Sequence, residues 1–341
     1  MPPFLVPPIF SIDMFKVVDL FAGCGGLSLG FQNAGLNIIL AADNWDAAIN
    51  VYRENFDHEI MKMDLSDWKK CAKFIDNYCP DLIIGGPPCQ DFSHAGQRNE
   101  DGGRGNLTVS YANIIASIKP RWFVMENVDR LVKTKKYKEA VQIFKKAGYG
   151  LNVRLLDASF CGVPQKRKRY FVVGELGAED NFLDDYIDKC TSAKPMTVRD
   201  YFGDQLKTEF YYRHPRNYSR RAIYSIDEPS ATIRGVNRPI PGGYPGHSND
   251  ATSILSKVRP LTTQERGEIQ TFPKDFVWVG TKTSVEQLIG NAVPVKLAEF
   301  VARALMERIE SVGHVSKELV VPTKKSMRQL RMFDRDLVAA C

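Results

Sequence analysis

The chain has 341 residues, 44% apolar and 25% charged, with a formal net charge of +6. This is the composition of a globular protein large enough to bury a real core; no run approaches the roughly 20 apolar residues that span a bilayer, and the mild basic excess permits a polyanionic partner without requiring one. Seven scattered cysteines (24, 71, 79, 89, 161, 190, 341) form no Cys-x-x-Cys and no zinc-like spacing, which speaks against a disulfide framework or a structural metal and fits a reducing cytoplasm.

Residues 1–13 are Pro-rich and apolar without a basic start, a poor signal peptide. Met14 directly precedes the first strand candidate, so this segment is expected to be a disordered or non-native extension. Val17-Val18-Asp19-Leu20-Phe21 reads as a buried strand, followed by the turn Ala22-Gly23-Cys24-Gly25-Gly26 and a helix over 27–34. Strand, glycine-rich turn and helix make the opening unit of a doubly wound sheet. Ser28 stands where the third glycine of a dinucleotide fingerprint would be, so a pyrophosphate cradle is disfavoured. The glycines still let backbone lie against a ligand, and a plain packing turn explains them equally. A second strand over 37–42 ends at Asp43, twenty residues past Gly23. There a carboxylate either accepts both hydroxyls of a ribose or caps the helix over 45–55. Asp64 follows a strand over 60–63, and a helix over 68–78 stops at Pro80.

An apolar strand over 81–84 then runs into Gly85-Gly86-Pro87-Pro88-Cys89-Gln90-Asp91-Phe92-Ser93. The glycines allow a sharp turn and the prolines fix φ twice, so Cys89 sits where the chain is stiffest. It is either a nucleophile presented at a strand end or a structural cysteine. The polar, glycine-rich run 94–106 reads as a mobile loop. After a helix over 111–118, a strand over 122–125 leads to Glu126-Asn127-Val128. Open α/β sheets bind ligands at this carboxyl edge. The basic helix over 133–147 reads as a solvated face. A strand over 151–157 precedes Gln165-Lys166-Arg167-Lys168-Arg169, which enters a further strand over 170–173. Arg167 and Arg169 would face one side of it, unless they form a plain basic surface.

Beyond Gly174 the texture becomes loop-rich. Residues 205–259 carry nine Lys/Arg against four acids, with tyrosines at 211, 212, 218, 224 and 244. Basic and aromatic residues interleaved with glycine and proline read as a small irregular β-rich region with a nucleic-acid face, or as an inert insertion. Helical character resumes over 261–270. Asn291-Ala292-Val293-Pro294 leads into an amphipathic helix over 295–309, and the chain ends in a basic tail from 311.

The order of these pieces resembles the cytosine-5 DNA methyltransferases, from about Lys16 to Arg308. Asp19 to Gly26 is similar to that family's first motif. Asp43 resembles its ribose acid, with Tyr52 and Asn55-Phe56 fixing the register, and Asp64-Leu65 resembles its adenine-reading pair. Gly86 to Gln90 with Phe92-Ser93 resembles the nucleophile motif, Glu126 to Val128 the acid motif, and Gln165-x-Arg167-x-Arg169 the arginine motif. Arg259 to Pro273 resembles the motif that supports the recognition region, and Gly290 to Pro294 the last motif. Thr232-Ile233 is similar to a short signature within the recognition region.

The resemblance implies an α/β, doubly wound Rossmann-like sheet with a smaller, irregular β-rich target-recognition domain. The divisions are a catalytic and cofactor domain over 14–174, a recognition domain over 175–280, a return to the catalytic domain over 281–310 and a basic tail over 311–341. It implies S-adenosylmethionine as cofactor, S-adenosylhomocysteine as product and no metal. The cofactor residues would be Phe21, Ala22, Gly23, Cys24, Gly25, Gly26, Asp43, Asn44, Asp64, Leu65, Gly86, Pro88, Asn291, Ala292 and Val293. Catalysis would fall to Cys89, Glu126, Arg167, Arg169 and Gln165, with Arg167 holding Glu126 or the base oxygen. Double-stranded DNA would be met by Gln90, Ser93, Gln97, Arg104, Arg213, Thr232, Arg234 and Arg238. The expected setting is a monomer without membrane contact in the bacterial cytoplasm or nucleoid, in a restriction-modification system with a companion endonuclease or as a solitary methylase. The rivals are an RNA-methylating relative, a catalytically silent DNA-binding paralogue and a nicotinamide dehydrogenase.

Overall fold

The computed structural model describes residues 15–88, 107–215, 217 and 219–312. The first half alternates strand and helix: β1 (Lys16–Leu20), α1 (Gly26–Asn33), β2 (Asn37–Asp43), α2 (Asp46–Asn55), β3 (Glu59–Lys62), α3 (Trp68–Asp76), β4 (Leu82–Gly85), α4 (Leu107–Ile118), β5 (Trp122–Val128) and α5 (Lys135–Lys146). β6 (Tyr149–Asp157), the short β7 (Gln165–Lys166) and β8 (Lys168–Leu176) follow. A seven-stranded sheet runs β3-β2-β1-β4-β5-β8-β6. Its first five strands pair in parallel, and β8 enters antiparallel between β5 and β6.

Period-two alternation along the strands divides the core between two helical layers. Val17, Leu82, Ile84, Trp122 and Val124 pack with residues of α1 and the last helix, whereas Val18, Leu20, Ile83, Phe123 and Met125 pack with α3, α4 and α5. The neighbours of β1 are β2 on one side and β4 on the other. That reversal opens a crevice at the carboxyl ends of the strands.

The loop-rich part holds two helices that its texture hid, α6 (Asp184–Cys190) and α7 (Val198–Phe202). Both are short. α6 is held from outside, Arg154 of β6 pairing with Asp184 and Asp188, and α7 by a capping box between Thr197 and Asp200. β9 (Phe210–Tyr212) pairs antiparallel with β10 (Ile223–Ser225) and parallel with β12 (Val258–Pro260). β11 (Ser230–Ala231) pairs with β7 and so joins this region to the arginine motif. The helices α8 (Thr263–Ile269), α9 (Lys282–Asn291) and α10 (Val295–Ser311) complete the fold.

Candidate active site

The ends of β1, β4 and β5 open into a cleft of about 990 Å³. After β1 the backbone is left-handed at Phe21 (φ 60), Gly23 (φ 57) and Gly25 (φ 92). For a phenylalanine this conformation is strained, a feature that clusters at ligand sites. Phe21, Ala22, Gly23, Cys24 and Gly26 line the cleft. Gly25 packs on its other side: a Cβ there would lie 2.3 Å from the Phe56 ring at the end of α2. At Gly26 a Cβ would lie 2.2 Å from the Val293 carbonyl, so this glycine seats α1 against the last motif. Burial pushes the Cys24 thiol up to about 12, and it stays neutral.

Asp43 binds backbone on both sides of the cleft rim. One carboxylate oxygen accepts the Gly23 N–H and the other the Trp45 N–H, both at 2.8 Å. Asp43, Asn44, Asp64 and Leu65 all line the cleft, as does Trp45. Trp45 escaped the sequence reading, although an indole two residues past a strand-end acid is a usable signal. Asp64 is exposed and accepts the Ser66 N–H at 3.0 Å, which with the Ser66 side chain holds its carboxyl below the usual range. Asn291, Ala292 and Val293 form the opposite wall with Gln287 and Gly290.

Glu126 is buried at the end of β5 and meets Arg169 Nε at 2.8 Å. Burial raises its pKa, while the charges of Arg169 and Arg167 oppose the rise. Gly86 packs close: a Cβ there would lie 3.2 Å from Glu126 Oε2. Asn127 Nδ2 donates to the Pro87 carbonyl at 2.7 Å, tying the acid strand to the Pro-Pro turn. Gly86 and Pro88 line the same cleft. Cys89 follows Pro88 in the chain and lies outside the described residues, as do Gln90, Ser93, Gln97 and Arg104.

The two arginines divide their tasks differently from expectation. Arg169, not Arg167, pairs with Glu126. Arg167 is 1% exposed and donates to the carbonyls of Ile233 at 3.0 Å and of Gly290 and Ala292 at 2.9 Å. Burial and the neighbouring Arg169 charge lower its pKa. Gln165 is buried as well and joins two further elements. Its amide donates to Gln270 Oε1 at 2.7 Å, and its Oε1 accepts the Ile233 N–H at 2.8 Å.

Three of the expected DNA contacts make hydrogen bonds within the scaffold. Thr232 Oγ donates to the Lys166 carbonyl at 2.8 Å, and the Thr232 carbonyl accepts from Arg213 Nη2 at 2.8 Å. Arg234 donates to the His214 carbonyl, while Arg238 is exposed. Among the described residues no three His, Cys, Asp or Glu side chains group as a metal site, and no helix is long and apolar enough to cross a membrane.

A glycine turn, the strand-end carboxylate Asp43 and the acid Glu126 paired with an arginine share one cleft, and residues 15–307 match the model of the C-5 cytosine-specific DNA methylases. The chain belongs to that family. It is a DNA cytosine-5-methyltransferase, and the family as a whole depends on S-adenosylmethionine and acts on DNA. It is 57% identical over 303 residues to the Type II methyltransferase M.HindV of Haemophilus influenzae, covering 87% of this chain and 100% of that protein. Identity to the Type II methyltransferase M.HgiDI of Herpetosiphon aurantiacus is 53% over 290 residues, 85% of this chain and 94% of that one. The crystal structure of S. pombe Dnmt2 methyltransferase superposes with a TM-score of 0.64 at 18% identity, covering 88% of this chain and 99% of the other. That of Entamoeba histolytica methyltransferase EhMeth gives 0.60 at 18% identity, covering 88% and 99%. These two likenesses speak for the fold alone.

Proposed function

We propose that this methyltransferase takes a cytosine out of duplex DNA, attacks it with Cys89 and modifies carbon 5, using S-adenosylmethionine held in the cleft. The observation that carries the reading is the Glu126–Arg169 pair, buried in the same cleft as the glycine turn and next to Gly86. The cleft suits a nucleoside bearing a cationic tail: Gly23 has no atom within 4 Å of a would-be Cβ, and Asp43, Asp64, Phe21 and Trp45 line the same space. Asp43 would accept the ribose hydroxyls through the lone pairs its backbone partners leave, and Trp45 would cover the adenine. When bound, the cofactor supplies an electrophilic methyl group to carbon 5.

The chain's own residues prepare that carbon. The Cys89 thiolate forms a bond to carbon 6, and the displaced electron pair moves to carbon 5. Glu126, whose pKa burial raises against the opposing charges of Arg169 and Arg167, engages ring nitrogen 3 and the exocyclic amine as charge builds. Arg169 orients Glu126 and reaches the base oxygen. Loss of the carbon-5 proton to solvent then re-forms the ring double bond as the sulfur–carbon bond breaks. Extrusion of the base costs a few kcal/mol of stacking, offset by phosphate contacts from the basic recognition region, which make binding salt-dependent.

The reading extends to organisation and role. Residues 14–174 and 281–310 form the catalytic unit and 175–280 the recognition unit, acting as a monomer on bacterial DNA in the cytoplasm. The kinship with Type II methyltransferases supports a protective role beside an endonuclease of the same specificity. Labelled S-adenosylmethionine is expected to label duplex DNA, and label on transfer RNA alone would overturn the assignment. Cys89→Ser should abolish turnover while retaining cofactor binding. A 5-fluorocytosine duplex should trap an adduct that mass spectrometry places on Cys89.

A further inference from the structure

One buried ion pair lies outside this chemistry. Arg266 of α8 meets Glu286 of α9 at 3.0 Å, with side chains 6% and 4% exposed. Such pairs are weak stabilisers, because desolvation cancels much of the Coulomb gain, and their best-attested use is to fix a register. What this pair holds is backbone of the recognition region. Arg266 Nη1 donates to the Val236 carbonyl at 3.0 Å and Nη2 to the Arg234 carbonyl. Glu286 Oε1 accepts from Asn237 Nδ2 at 3.1 Å and Thr263 Oγ at 2.8 Å, and Asn237 also donates to the Leu261 carbonyl at 2.9 Å.

The inner side of the segment 233–238 is therefore clamped at alternate positions. Its backbone also lies on α9: a Cβ at Gly290 would come 2.1 Å from the Gly235 nitrogen. Gly290 lines the cleft, so the segment stands one residue layer from it. On the outer side, Val236 is 48% exposed and Arg238 is exposed too. An apolar side chain beside a guanidinium suits a base-pair edge in the major groove, the one for a thymine methyl and the other for guanine O6 and N7.

We propose that Val236 and Arg238 are specificity-determining residues that read base edges, and that Arg266, Glu286 and Asn237 are positioning residues that set their distance from the cleft. This rests on the reading of the cleft as a DNA-methylating site. A role in stability alone would leave the set of methylated sequences unchanged, whereas a positioning role alters it.

The test is bisulfite sequencing of DNA from cells expressing the full chain, paired with KM and kcat on the cognate duplex so revealed. Arg266→Lys keeps a charge for Glu286 but cannot reach both carbonyls, and Glu286→Gln keeps the acceptor without the charge. Both are expected to methylate sites differing at one base pair from the cognate and to raise KM for DNA about tenfold, the scale of one lost base contact, with kcat changed less than KM. Val236→Ala and Arg238→Gln lie on the exposed side and leave the clamp intact, so they decide the question even if the buried variants fail to fold. Each should relax one position of the recognised sequence. An unchanged site set in these two variants overturns the inference while leaving the methyltransferase reading intact. Absence of methylation by the unaltered chain would overturn that reading instead.

Discussion

Asp19 shows how far burial reshapes a single residue. It is fully buried on β1, and its carboxylate accepts the Ser28 hydroxyl at 2.6 Å. The Ser28 oxygen accepts the Tyr52 hydroxyl at 2.6 Å, and Tyr52 reaches His58 Nε2 at 2.5 Å. Burial raises the Asp19 pKa from the ordinary carboxylate value of 3.8 to about 7. Between those values the folded chain binds the proton and the unfolded chain does not, so this residue makes stability fall as pH rises from about 4 to 7. Above 7 both states are ionised and the slope vanishes. Asp19→Asn is expected to remove up to about 4 kcal/mol of this pH dependence, measured as urea midpoints across the window. Ser28 was legible only as the residue that breaks a dinucleotide fingerprint. Its role needs Tyr52, 24 residues on. Arg167 and Arg169 were likewise visible as an alternating pair on one face. Which of them meets Glu126 is decided by the carbonyls of Ile233, Gly290 and Ala292, which no local pattern connects to position 167.

At the scale of elements, two glycines of the site separate close packing from ligand access. Gly290 brings α9 against the recognition segment, where a Cβ would stand 2.1 Å from the Gly235 nitrogen and 2.4 Å from the Arg234 carbonyl carbon. Gly290→Ala should destabilise the fold by about 1–3 kcal/mol through overpacking. Gly23 faces open space with φ 57, so Gly23→Ala carries only the left-handed penalty, about 1 kcal/mol, and its main effect should be weaker cofactor binding. Denaturation and cofactor titration on the two variants should therefore rank them in opposite orders. The alternating strands and helices of residues 16–146 were legible because each buried strand is a continuous apolar run bounded by turn residues. The placement of β8 between β5 and β6 was not, since the later strand inserts between two earlier ones and leaves β6 at the sheet edge. Nor were α6 and α7, whose few turns are fixed by ion pairs and caps rather than by periodicity.

Across the whole molecule, the Arg167 guanidinium is the point where remote parts meet. It holds Ile233, which stands between Thr232 and Arg234 in the recognition segment, and Gly290 and Ala292, which line the cleft. A shift of either wall changes the same three hydrogen bonds. We predict that duplex and cofactor binding are linked through this guanidinium, and reciprocity would fix the form of the linkage: the factor by which cognate duplex tightens S-adenosylhomocysteine would equal the factor by which S-adenosylhomocysteine tightens the duplex. Isothermal titrations in both orders should return one number, on the order of 5–150-fold, and Arg167→Lys should bring it close to one. In cellular terms, a protein with that linkage would sense its own product. As the methyl donor is spent and the demethylated cofactor accumulates, the enzyme would stay longer on the DNA it has already marked.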